Sequence, residues 1–400
     1  MKIFHANIAL VGGGLEQYLF QLFHELDLRG HQNILLYGER GENPSTSPKA
    51  RLFYIEGVTE THCIDLERKL MLVKETVEKE SPDLVLIHQV LNPSLVNLLT
   101  LTRPSIHFMH GFKLICPDGR KMLKAKGKIC PFPLSYYCQL RAYVYRCMPR
   151  NPLVGLPQIY RSKKMTWLHK RKSRMIVTSK FMKSILLYNG FEEKRIEHIP
   201  LFTYLPERQN AIPSNDEPVI LGVGRIVTEK GMDYLVRAFA KIEHRAELII
   251  VGDGPALESL KSLAQKLEVS DRISFTGWLP HDELAAFYRR CAFVVVPSIA
   301  PESFGMVGIE AMSHRKPVLA FDVGGISEWL QDGETGFFLS PRDELSLAEK
   351  MNLLLQRPRL AEEMGRKGRD IVEQKFSPDS HVERLVTVFK EEIDAFRERS

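Results

Sequence analysis

The sequence predicts an α/β protein built from two doubly wound, Rossmann-like domains that face each other across a cleft. Three observations predict this fold class. A chain of 400 residues is too long for one hydrophobic core, and two domains of about 200 residues are the usual solution. Strand-like and helix-like apolar segments alternate along both halves, which is typical of parallel sheets covered on both faces. Between the halves, around residues 206–217, the periodicity lapses in a Pro-rich stretch.

The first half contains five predicted strands with helices between them. Residues 2–8 are rich in β-forming side chains, and residues 15–28 carry Leu15, Leu19, Leu22 and Leu26 at helical spacing before Gly30 ends the helix. Further strands are predicted at 33–37, 84–87, 105–109 and 174–178, with helices at 65–80, from Ser94 and from Lys180.

The second half repeats the alternation. Strands are predicted at 219–223, 248–251, 273–275, 293–296 and 318–321, and helices from Gly231, Pro255, Asp282, Phe304, Gly325 and Glu344. We assign 1–205 to the N-terminal domain, 206–217 to a linker and 218–376 to the C-terminal domain. Residues 377–400 form a C-terminal helix that could cross back to the first domain. Ligands of such sheets bind beyond the carboxyl ends of the strands, so the loops after the strands are the candidate sites.

Charge is distributed unevenly along the chain. Residues 1–200 contain 30 Lys and Arg against 17 Asp and Glu, whereas the rest is acidic. For the densest stretch, Arg161 to Lys183, we favour a solvated helix face, with docking to anionic lipid as the alternative. We find no nucleic-acid motif and expect no such partner. We also find no apolar run of about 18 residues and no signal peptide, so we expect a cytoplasmic protein, with peripheral contact to the inner face of the plasma membrane as an alternative.

The loop after the first strand contains three glycines, Gly12, Gly13 and Gly14, and a helix follows it. Glycines there let backbone N–H groups approach a phosphate or a sugar, and the helix N-terminus adds positive potential. A dinucleotide fingerprint needs a third glycine where Gln17 stands, although Glu39 could serve as its ribose-binding acid. A nicotinamide enzyme is therefore disfavoured, and the loop alone could equally be a tight turn.

Two loops of the second half carry charges that suit a sugar nucleotide. After the strand at 219–223 come Arg225 and, five residues later, Lys230, and two cations at a strand end suit a diphosphate. After the strand at 293–296, Glu302 lies in the loop and Glu310 lies eight residues later in a helix, for which Ser303 is the predicted N-cap. The carboxylates could accept hydrogen bonds from sugar hydroxyls, and the free N–H groups of the first helical turn would face the same cleft. Either loop alone could be a solvated surface feature.

In order and spacing, these strings resemble the large retaining family-4, or group 1, glycosyltransferases, whose two-domain fold is called GT-B. The resemblance is dense over about 220–340 and looser in the first half, where it rests on the glycine loop and His110-Gly111. The matching strings are Gly224-Arg225…Lys230-Gly231, Val251-Gly252-Asp253-Gly254-Pro255, Phe275-Thr276-Gly277-Trp278, Pro301-Glu302-Ser303-Phe304-Gly305…Glu310-Ala311-Met312, Pro317-Val318-Leu319-Ala320 and Gly324-Gly325…Glu328.

The resemblance implies roles for individual residues. Arg225 and Lys230 would hold the diphosphate of the donor, Glu302 would lie against the transferred sugar, and Glu310 would bind the ribose hydroxyls. The other implied donor-binding residues are Gly13, Gly14, Gly224, Gly252, Gly254, Trp278, Leu279, Ser303, Phe304, Gly305, Met306 and Val307. Among these, the backbone of 304–307 would contact sugar and phosphate, and the segments at 252–254 and 278–279 would lie near the nucleoside.

The resemblance also implies a mechanism and an acceptor side. His110 follows the strand at 105–109, where a histidine of similar enzymes contacts the donor sugar or the acceptor. Anomeric configuration would be retained through a transition state that resembles an oxocarbenium ion, with positive groups stabilising the departing diphosphate. A UDP- or GDP-sugar would be the co-substrate. Since no Asp-x-Asp motif is present, we expect no metal or other cofactor. The first domain would bind the acceptor. Its basic charge, rather than the resemblance, favours a lipid-linked or anionic acceptor in cell-envelope polysaccharide, lipopolysaccharide or glycolipid synthesis.

Four of the six cysteines, Cys116, Cys130, Cys138 and Cys147, fall in a Lys-rich insertion at about 112–150. Their spacing contains no C-x2-C knuckle, so we favour reduced, buried thiols over disulfides or a metal. Some members of the resembling family show a similar run of cysteines, which keeps a structural zinc site as the alternative. The insertion could also recognise an acidic or lipid-phosphate acceptor.

Two other functional classes remain open. A non-catalytic module would bind the nucleotide sugar and transfer nothing. A same-fold sugar-phosphate synthase, sucrose synthase or phosphorylase would share the second-half loops, although such enzymes are usually longer, and we find no pyridoxal-binding lysine motif of the phosphorylases.

Overall fold

Strands and helices alternate through the computed structural model, which describes residues 1–10, 13–40, 49–60, 63–206 and 217–398. The chain divides into two units by its internal contacts: unit 1 comprises Met1–Leu201 with Asp379–Ser400, and unit 2 comprises Phe202–Pro378. Most of the predicted linker, 207–216, lies outside the described residues, as does Gly12 of the glycine loop.

Unit 1 is organised around a parallel sheet of seven strands in the order β3-β2-β1-β4-β5-β8-β9. The strands of the unit are β1 (Lys2–Leu10), β2 (Gln32–Arg40), β3 (Arg51–Tyr54), β4 (Leu84–Ile87), β5 (Ser105–Met109), the short β6 (Met122–Leu123) and β7 (Lys128–Ile129), β8 (Arg174–Val177) and β9 (Ile196–His198). β6 and β7 pair with each other as an antiparallel hairpin outside this sheet. The strand order reverses between β1 and β4, and such a switch point is where doubly wound sheets bind ligands.

Within the described residues, six helices of unit 1 precede unit 2 in the chain. They are α1 (Gly14–Leu28), α2 (Leu66–Glu80), α3 (Pro93–Thr102), α4 (Tyr137–Tyr145), α5 (Pro152–Lys172) and α6 (Lys180–Tyr188). β4 and β5 are buried along their whole length, as apolar central strands covered on both faces should be. α1 buries Tyr18, Leu19, Leu22 and Leu26, which recur at helical spacing.

Unit 2 contains a second parallel sheet, of six strands in the order β12-β11-β10-β13-β14-β15. Its elements are β10 (Val219–Val223), α7 (Met232–Phe239), β11 (Glu247–Val251), α8 (Leu257–Lys266), β12 (Ile273–Gly277), α9 (His281–Arg290), β13 (Phe293–Val296), α10 (Met306–Ser313), β14 (Val318–Phe321), β15 (Gly336–Leu339), α11 (Glu344–Gln356) and α12 (Pro358–Lys375). The switch point of this sheet lies between β10 and β13, whose residues pair in parallel register from Ile220 with Phe293.

The last helix, α13 (Pro378–Arg397), packs within unit 1 although it follows unit 2 in the chain. The Tyr18 hydroxyl of α1 lies 2.8 Å from Nε2 of His381, and His381 Nδ1 donates to the carbonyl of Pro200 at 2.6 Å. Arg174 of β8 forms an ion pair with Glu391 at 2.7 Å. α13 therefore supplies polar partners to the first helix and to an interior strand of the sheet.

The structure corrects one of the helices predicted for the second half. The helix expected from Gly325 is a single 3-10 turn, Gly325–Glu328, because the backbone there pairs with the loop that follows β13. Within the described ranges, none of the helices combines the length and the apolarity that a bilayer crossing requires.

Candidate functional site

The switch point of unit 2 brings together two of the predicted site residues. Lys230 follows β10 and Glu302 follows β13, and the Lys230 ammonium lies 2.7 Å from Oε1 of Glu302. Arg225 lies at the start of the same loop as Lys230, and its side chain is exposed. Since β10 and β13 are neighbours, the charged ends of both loops meet at one edge of the sheet.

The Lys230–Glu302 pair is shielded mainly on the carboxylate side. The side chain of Glu302 is 14% exposed and that of Lys230 is 34% exposed. The hydroxyl of Ser298 donates to the same Oε1 of Glu302. Burial alone would raise the pKa of Glu302, but the charge and hydrogen bond of Lys230, with the hydrogen bond of Ser298, hold this pKa below its ordinary value. Glu302 is therefore ionised at neutral pH.

Backbone contacts lock the loops after β10, β13 and β14 to one another. The N–H of Ile299 donates to the carbonyl of Glu229 at 2.9 Å, and the N–H of Gly325 donates to the carbonyl of Glu302 at 2.8 Å. Gly231 has φ +64°, and a Cβ atom there would lie 2.0 Å from the carbonyl oxygen of Pro297. Only glycine allows this approach, so the loop that carries Lys230 is held against the loop that carries Glu302.

The loops after β10, β11 and β12 are joined in the same way. The N–H of Gly224 donates to Val251 at 3.0 Å, and the N–H of Gly252 donates to Gly277 at 2.8 Å. Cβ atoms on Gly252 and Gly254 would lie 2.0 and 2.4 Å from carbonyl oxygens of the loop after β10. Their lack of side chains is therefore explained by packing between loops. Directly after β12, Trp278 is 56% exposed, and Leu279 is half-buried.

The start of α10 differs from the prediction. The N-cap is Gly305, with φ +90°, and the helix begins at Met306, so Ser303 is not the N-cap and Phe304 precedes the first turn. Phe304 is fully buried, and its carbonyl accepts a hydrogen bond from the Trp329 indole at 2.8 Å, which keeps this residue in the loop. Met306 and Val307 form the first turn, as predicted.

Glu310 lies further along α10 and has a partner that the sequence did not reveal. The hydroxyl of Tyr288, from α9, donates to Oε2 of Glu310 at 2.9 Å. Burial raises the pKa of Glu310, although the charge of His281 and the Tyr288 hydrogen bond oppose the shift. Ser298 was also missed. It follows β13 by two residues, which is a usable signal, whereas nothing near Tyr288 in the sequence indicates its contact.

The predicted site residues of the first half, Gly13, Gly14 and His110, lie in unit 1. Gly13 is the N-cap of α1 and Gly14 its first residue, and both are exposed. His110 follows β5, and its Nε2 lies 3.0 Å from Nδ1 of His88. Burial lowers the pKa of His110 to about 3, so the imidazole is neutral. Glu16, in the first turn of α1, was not predicted; burial raises the pKa of its carboxyl to about 7.

The four clustered cysteines line one cavity together with Asp118 and Arg141. Cys116 and Cys130 flank the β6–β7 hairpin, Cys138 lies in the first turn of α4, and Cys147 follows α4. All are free thiols. Across the described part of the chain, no three His, Cys, Asp or Glu side chains are grouped closely enough to hold a metal ion. The zinc alternative therefore stays a prediction.

The basic stretch from Arg161 to Lys183 is not one continuous surface. It covers the end of α5, the buried strand β8 and the start of α6. Arg174 pairs with Glu197 and Glu391, and Lys183 pairs with Glu193 at 2.8 Å. The cations beyond α5 are thus partly neutralised within the protein, whereas Lys164 and Arg171 of α5 are exposed.

Two family models match the chain in consecutive segments. The model described as "Glycosyltransferase Family 4" matches residues 12–203, and the model described as "Glycosyl transferases group 1" matches residues 206–371. The two matches together leave residues 1–11, 204–205 and 372–400 uncovered.

Curated relatives match only in part. An alpha-D-kanosaminyltransferase of Streptomyces kanamyceticus is 32% identical over 180 residues, which is 44% of this chain and 46% of the relative. A GDP-mannose-dependent alpha-(1-6)-phosphatidylinositol monomannoside mannosyltransferase of Mycolicibacterium smegmatis is 34% identical over 163 residues, covering 38% of this chain and 43% of the relative. The chain thus spans about half the length of the curated relatives it matches.

Solved structures match over nearly the whole chain and show the fold. Sucrose-phosphate synthase from Thermosynechococcus elongatus has a TM-score of 0.77 at 22% identity, with 99% of this chain and 100% of that chain covered. Anabaena HepE in complex with UDP-glucose has a TM-score of 0.71 at 17% identity, with 98% and 100% covered. The two-domain architecture expected from the sequence is confirmed.

Proposed function

Since the chain belongs to the group 1, or family 4, glycosyltransferases, we propose that it is a retaining enzyme that transfers a hexose or related sugar from a nucleoside diphosphate to an acceptor. The observation that carries the proposal is the Lys230–Glu302 pair at the switch point of unit 2. It puts a cation for a phosphate and a carboxylate for a sugar within 2.7 Å of each other, on loops locked by backbone contacts.

Lys230 and Arg225 would bind the diphosphate. Negative charge grows on this group as the sugar leaves, and fixed positive groups at that position lower the barrier. The free N–H groups at the start of α10 carry partial positive charge and would add to the effect of these two side chains. Because these groups supply the positive charge, we propose that transfer requires no metal cofactor.

The two carboxylates would bind hydroxyl groups of the donor. Glu302 is held ionised, and its Oε1 already accepts from Lys230 and Ser298, so its Oε2 has the greater capacity for a sugar hydroxyl. Glu310 receives Tyr288 on Oε2, and its Oε1 would accept from the ribose.

The loops after β11 and β12 would contact the nucleoside. The exposed indole of Trp278 offers an aromatic face, and the glycine backbone at Gly252 and Gly254 allows a close approach. One structural neighbour was solved with UDP-glucose, and one relative is named for its dependence on GDP-mannose. UDP- and GDP-sugars are therefore the first donors to test.

A donor panel tests the proposal. UDP-, GDP- and ADP-sugars are screened by thermal shift and by release of nucleoside diphosphate, with lipid-linked sugars and sugar phosphates as acceptors. We expect Lys230→Ala and Glu302→Ala each to lose about 100-fold in turnover, as for one transition-state contact. The matched controls are Lys241→Ala and Glu344→Ala, an ion pair of 3.6 Å on the surface of unit 2, which should keep wild-type rates.

Three outcomes would contradict parts of this proposal. Wild-type turnover in both site variants would remove the assigned roles. Donor binding without transfer to any acceptor would favour a non-catalytic module. Transfer only to a sugar phosphate would favour a synthase.

We further propose that unit 1 docks on an anionic membrane surface, where a lipid-linked acceptor would be found. Residues 112–172 contain 15 Lys or Arg and one acidic residue, Asp118, which is itself paired with Arg120. Large apolar side chains are also exposed on α4, on its N-cap residue Tyr136 and on α5. We call them the apolar stripe: Tyr136, Tyr137, Leu140, Tyr143, Val144, Leu153, Val154, Leu156, Tyr160 and Trp167.

The apolar stripe has the spacing and the flanking charge of an interfacial helix surface. On α5, Leu153, Leu156, Tyr160 and Trp167 recur at intervals of three, four and seven, so they share one helix face. Cations border this face; the Lys163 ammonium lies 4.8 Å from the Tyr136 ring centroid. An exposed apolar face bordered by Lys and Arg binds the headgroup region of anionic bilayers.

Vesicle sedimentation tests this docking. We expect binding to vesicles of phosphatidylcholine with phosphatidylglycerol, and much less to phosphatidylcholine alone. Leu153→Ser with Tyr160→Ser, and Lys163→Glu with Lys164→Glu, should each reduce binding at least about tenfold. Leu345→Ser, which changes a 61% exposed leucine of unit 2, is the control. Equal binding to both vesicle types, or by all variants, would refute the docking surface.

A further inference from the structure

Three imidazoles form a continuous hydrogen-bonded line through the sheet of unit 1. His5 belongs to β1, His88 follows β4 and His110 follows β5, and these strands are neighbours in the sheet. Nδ1 of His5 lies 3.1 Å from Nε2 of His88, and Nδ1 of His88 lies 3.0 Å from Nε2 of His110. His5 and His88 are buried, whereas His110 is partly exposed, so the line runs from the interior to the surface.

Asn33, on the adjacent strand β2, ends the line in the interior. Its amide nitrogen donates to the carbonyls of Phe23 at 3.0 Å and Lys49 at 3.2 Å. With both amide hydrogens directed to carbonyl oxygens, Oδ1 of Asn33 must be the atom that faces Nε2 of His5, at 3.2 Å. The amide orientation is therefore fixed by its surroundings, and Asn33 can only accept from His5.

Each imidazole of the line carries one proton. Burial lowers the pKa of His5 to about 3, although the hydrogen bond with Asn33 opposes this shift. Burial and the neighbouring imidazoles lower the pKa of His88 well below its ordinary value, and burial, with His107 and His381, lowers the pKa of His110 to about 3. Near neutral pH every member is a neutral ring with one donor and one acceptor nitrogen.

The direction of donation then follows from Asn33 outward. His5 donates through Nε2 to Asn33, so its Nδ1 accepts from Nε2 of His88. Nδ1 of His88 in turn accepts from Nε2 of His110. His110 is left with a hydrogen on Nε2 and a lone pair on Nδ1.

We propose that Asn33, His5 and His88 are positioning residues that hold His110 as the Nε2-protonated tautomer, so that its Nδ1 accepts a hydrogen bond from a hydroxyl group of the bound sugar. The tautomer follows from the hydrogen bonds of unit 1 alone, whereas the sugar hydroxyl rests on the proposed function. A ring fixed in this way distinguishes between sugars. Its Nδ1 accepts a hydrogen bond from a sugar that carries the hydroxyl group, but stays unpaired when a deoxy sugar is bound.

The other groups around His110 do not change this direction of hydrogen-bond donation. Its ring stacks on Phe108 at 4.4 Å and lies 5.5 Å from the Tyr18 ring. His381 donates to the Pro200 carbonyl through Nδ1, so its Nε2 accepts from the Tyr18 hydroxyl at 2.8 Å. His107, which also lowers the pKa of His110, packs in a tilted arrangement against His169, with 4.1 Å between the ring centroids.

Nitrogen-15 NMR of the ligand-free protein tests the tautomer. We expect the hydrogen of His110 on Nε2, with one-bond coupling to that nitrogen, and an unprotonated Nδ1 across the neutral pH range. Assignment comes from the loss of these signals in His110→Asn. A hydrogen on Nδ1 of His110 in the resting protein would overturn the proposal.

A pair of variants tests the positioning role. His88→Leu removes both hydrogen bonds, and we expect kcat/KM for the donor identified in the panel to fall about tenfold, with the His110 nitrogen signals changed. His88→Gln supplies an amide donor and acceptor, and we expect it to restore most of the rate and the Nε2-protonated signal. Unchanged kinetics in a folded His88→Leu variant would overturn the role. If no donor is turned over, the proposed function fails, but NMR still decides the tautomer.

Discussion

At the scale of single residues, Gly324 decides where Glu302 can lie. The backbones of the two residues form an isolated parallel bridge, and a Cβ atom on Gly324 would lie 2.3 Å from the carbonyl oxygen of Glu302. Gly324 also has φ +66°, which disfavours any residue with a side chain. The carboxylate that we assign to the donor sugar therefore depends on a residue with no side chain.

Replacing this glycine should damage both stability and the site. We expect Gly324→Ala to lower the free energy of unfolding by about 3 kcal/mol, from backbone strain plus steric overlap, and to weaken donor binding. The control is Gly333→Ala, which has a similar φ of +73° but open space around its Cβ, and which should lose only about 1 kcal/mol. Urea unfolding and thermal shift with donor measure both effects. Equal losses in the two variants would show that the contact with Glu302 is unimportant.

At this scale, a site residue could be predicted when its neighbours in the sequence show where it lies. Lys230 and Glu302 are charged side chains just past apolar strands, so the sequence identifies them. Tyr288 and His88 could not be predicted, because their roles depend on Glu310 and His110, each 22 positions away in the chain. Hydrogen-bond partners between elements follow from the packing of the fold and leave no local pattern.

At the scale of elements, the interior strands of both sheets could be predicted from the sequence, but three of the edge strands could not. β3, β9 and β15 were missed, and each of these lies at an end of its sheet. β3 has an exposed and half-buried pattern, so it lacks the continuous apolar run of β4 or β13. An edge strand is half solvated, and its sequence then resembles a loop.

The redox state of the cysteines around the β6–β7 hairpin and α4 can be tested. The favoured interpretation is reduced thiols, so we expect the protein unfolded without reductant to react with a thiol reagent at all six cysteines. Metal analysis of the native protein should find no stoichiometric zinc. One zinc ion per chain, lost in Cys130→Ser and kept in the Cys291→Ser control, would establish the alternative.

At the scale of the whole molecule, unit 1 contains more buried histidines with a lowered pKa than unit 2 does, among the described residues. Burial lowers the pKa of His5, His107 and His381 of unit 1 to about 3, and those of His88 and His169 well below the ordinary value of 6.5. In unit 2, burial lowers the pKa of His314 to about 4. Between about pH 6.5 and pH 3 the unfolded chain binds more protons than the folded one, so stability falls as the pH is lowered through this window.

We therefore expect unit 1 to unfold at a higher pH than unit 2 on acidification. Hydrogen exchange at pH 7 and pH 5, followed on peptides of 1–201 and of 202–378, measures this directly. His107→Phe removes a buried base whose Nδ1 has no hydrogen-bond partner among the described residues, and should make unit 1 less acid-sensitive. Loss of protection in unit 2 first would contradict the assignment.

The return of α13 to unit 1 has a consequence for biosynthesis. A ribosome delivers residues 1–201 long before it delivers Asp379–Ser400, and unit 2 is translated between the two. Until the final helix emerges, Tyr18 lacks His381 and Arg174 lacks Glu391. Unit 1 therefore stays incomplete while unit 2 is being translated, and the surface that α13 later covers is exposed to aggregation during that time. Unit 2 can finish folding before unit 1 does.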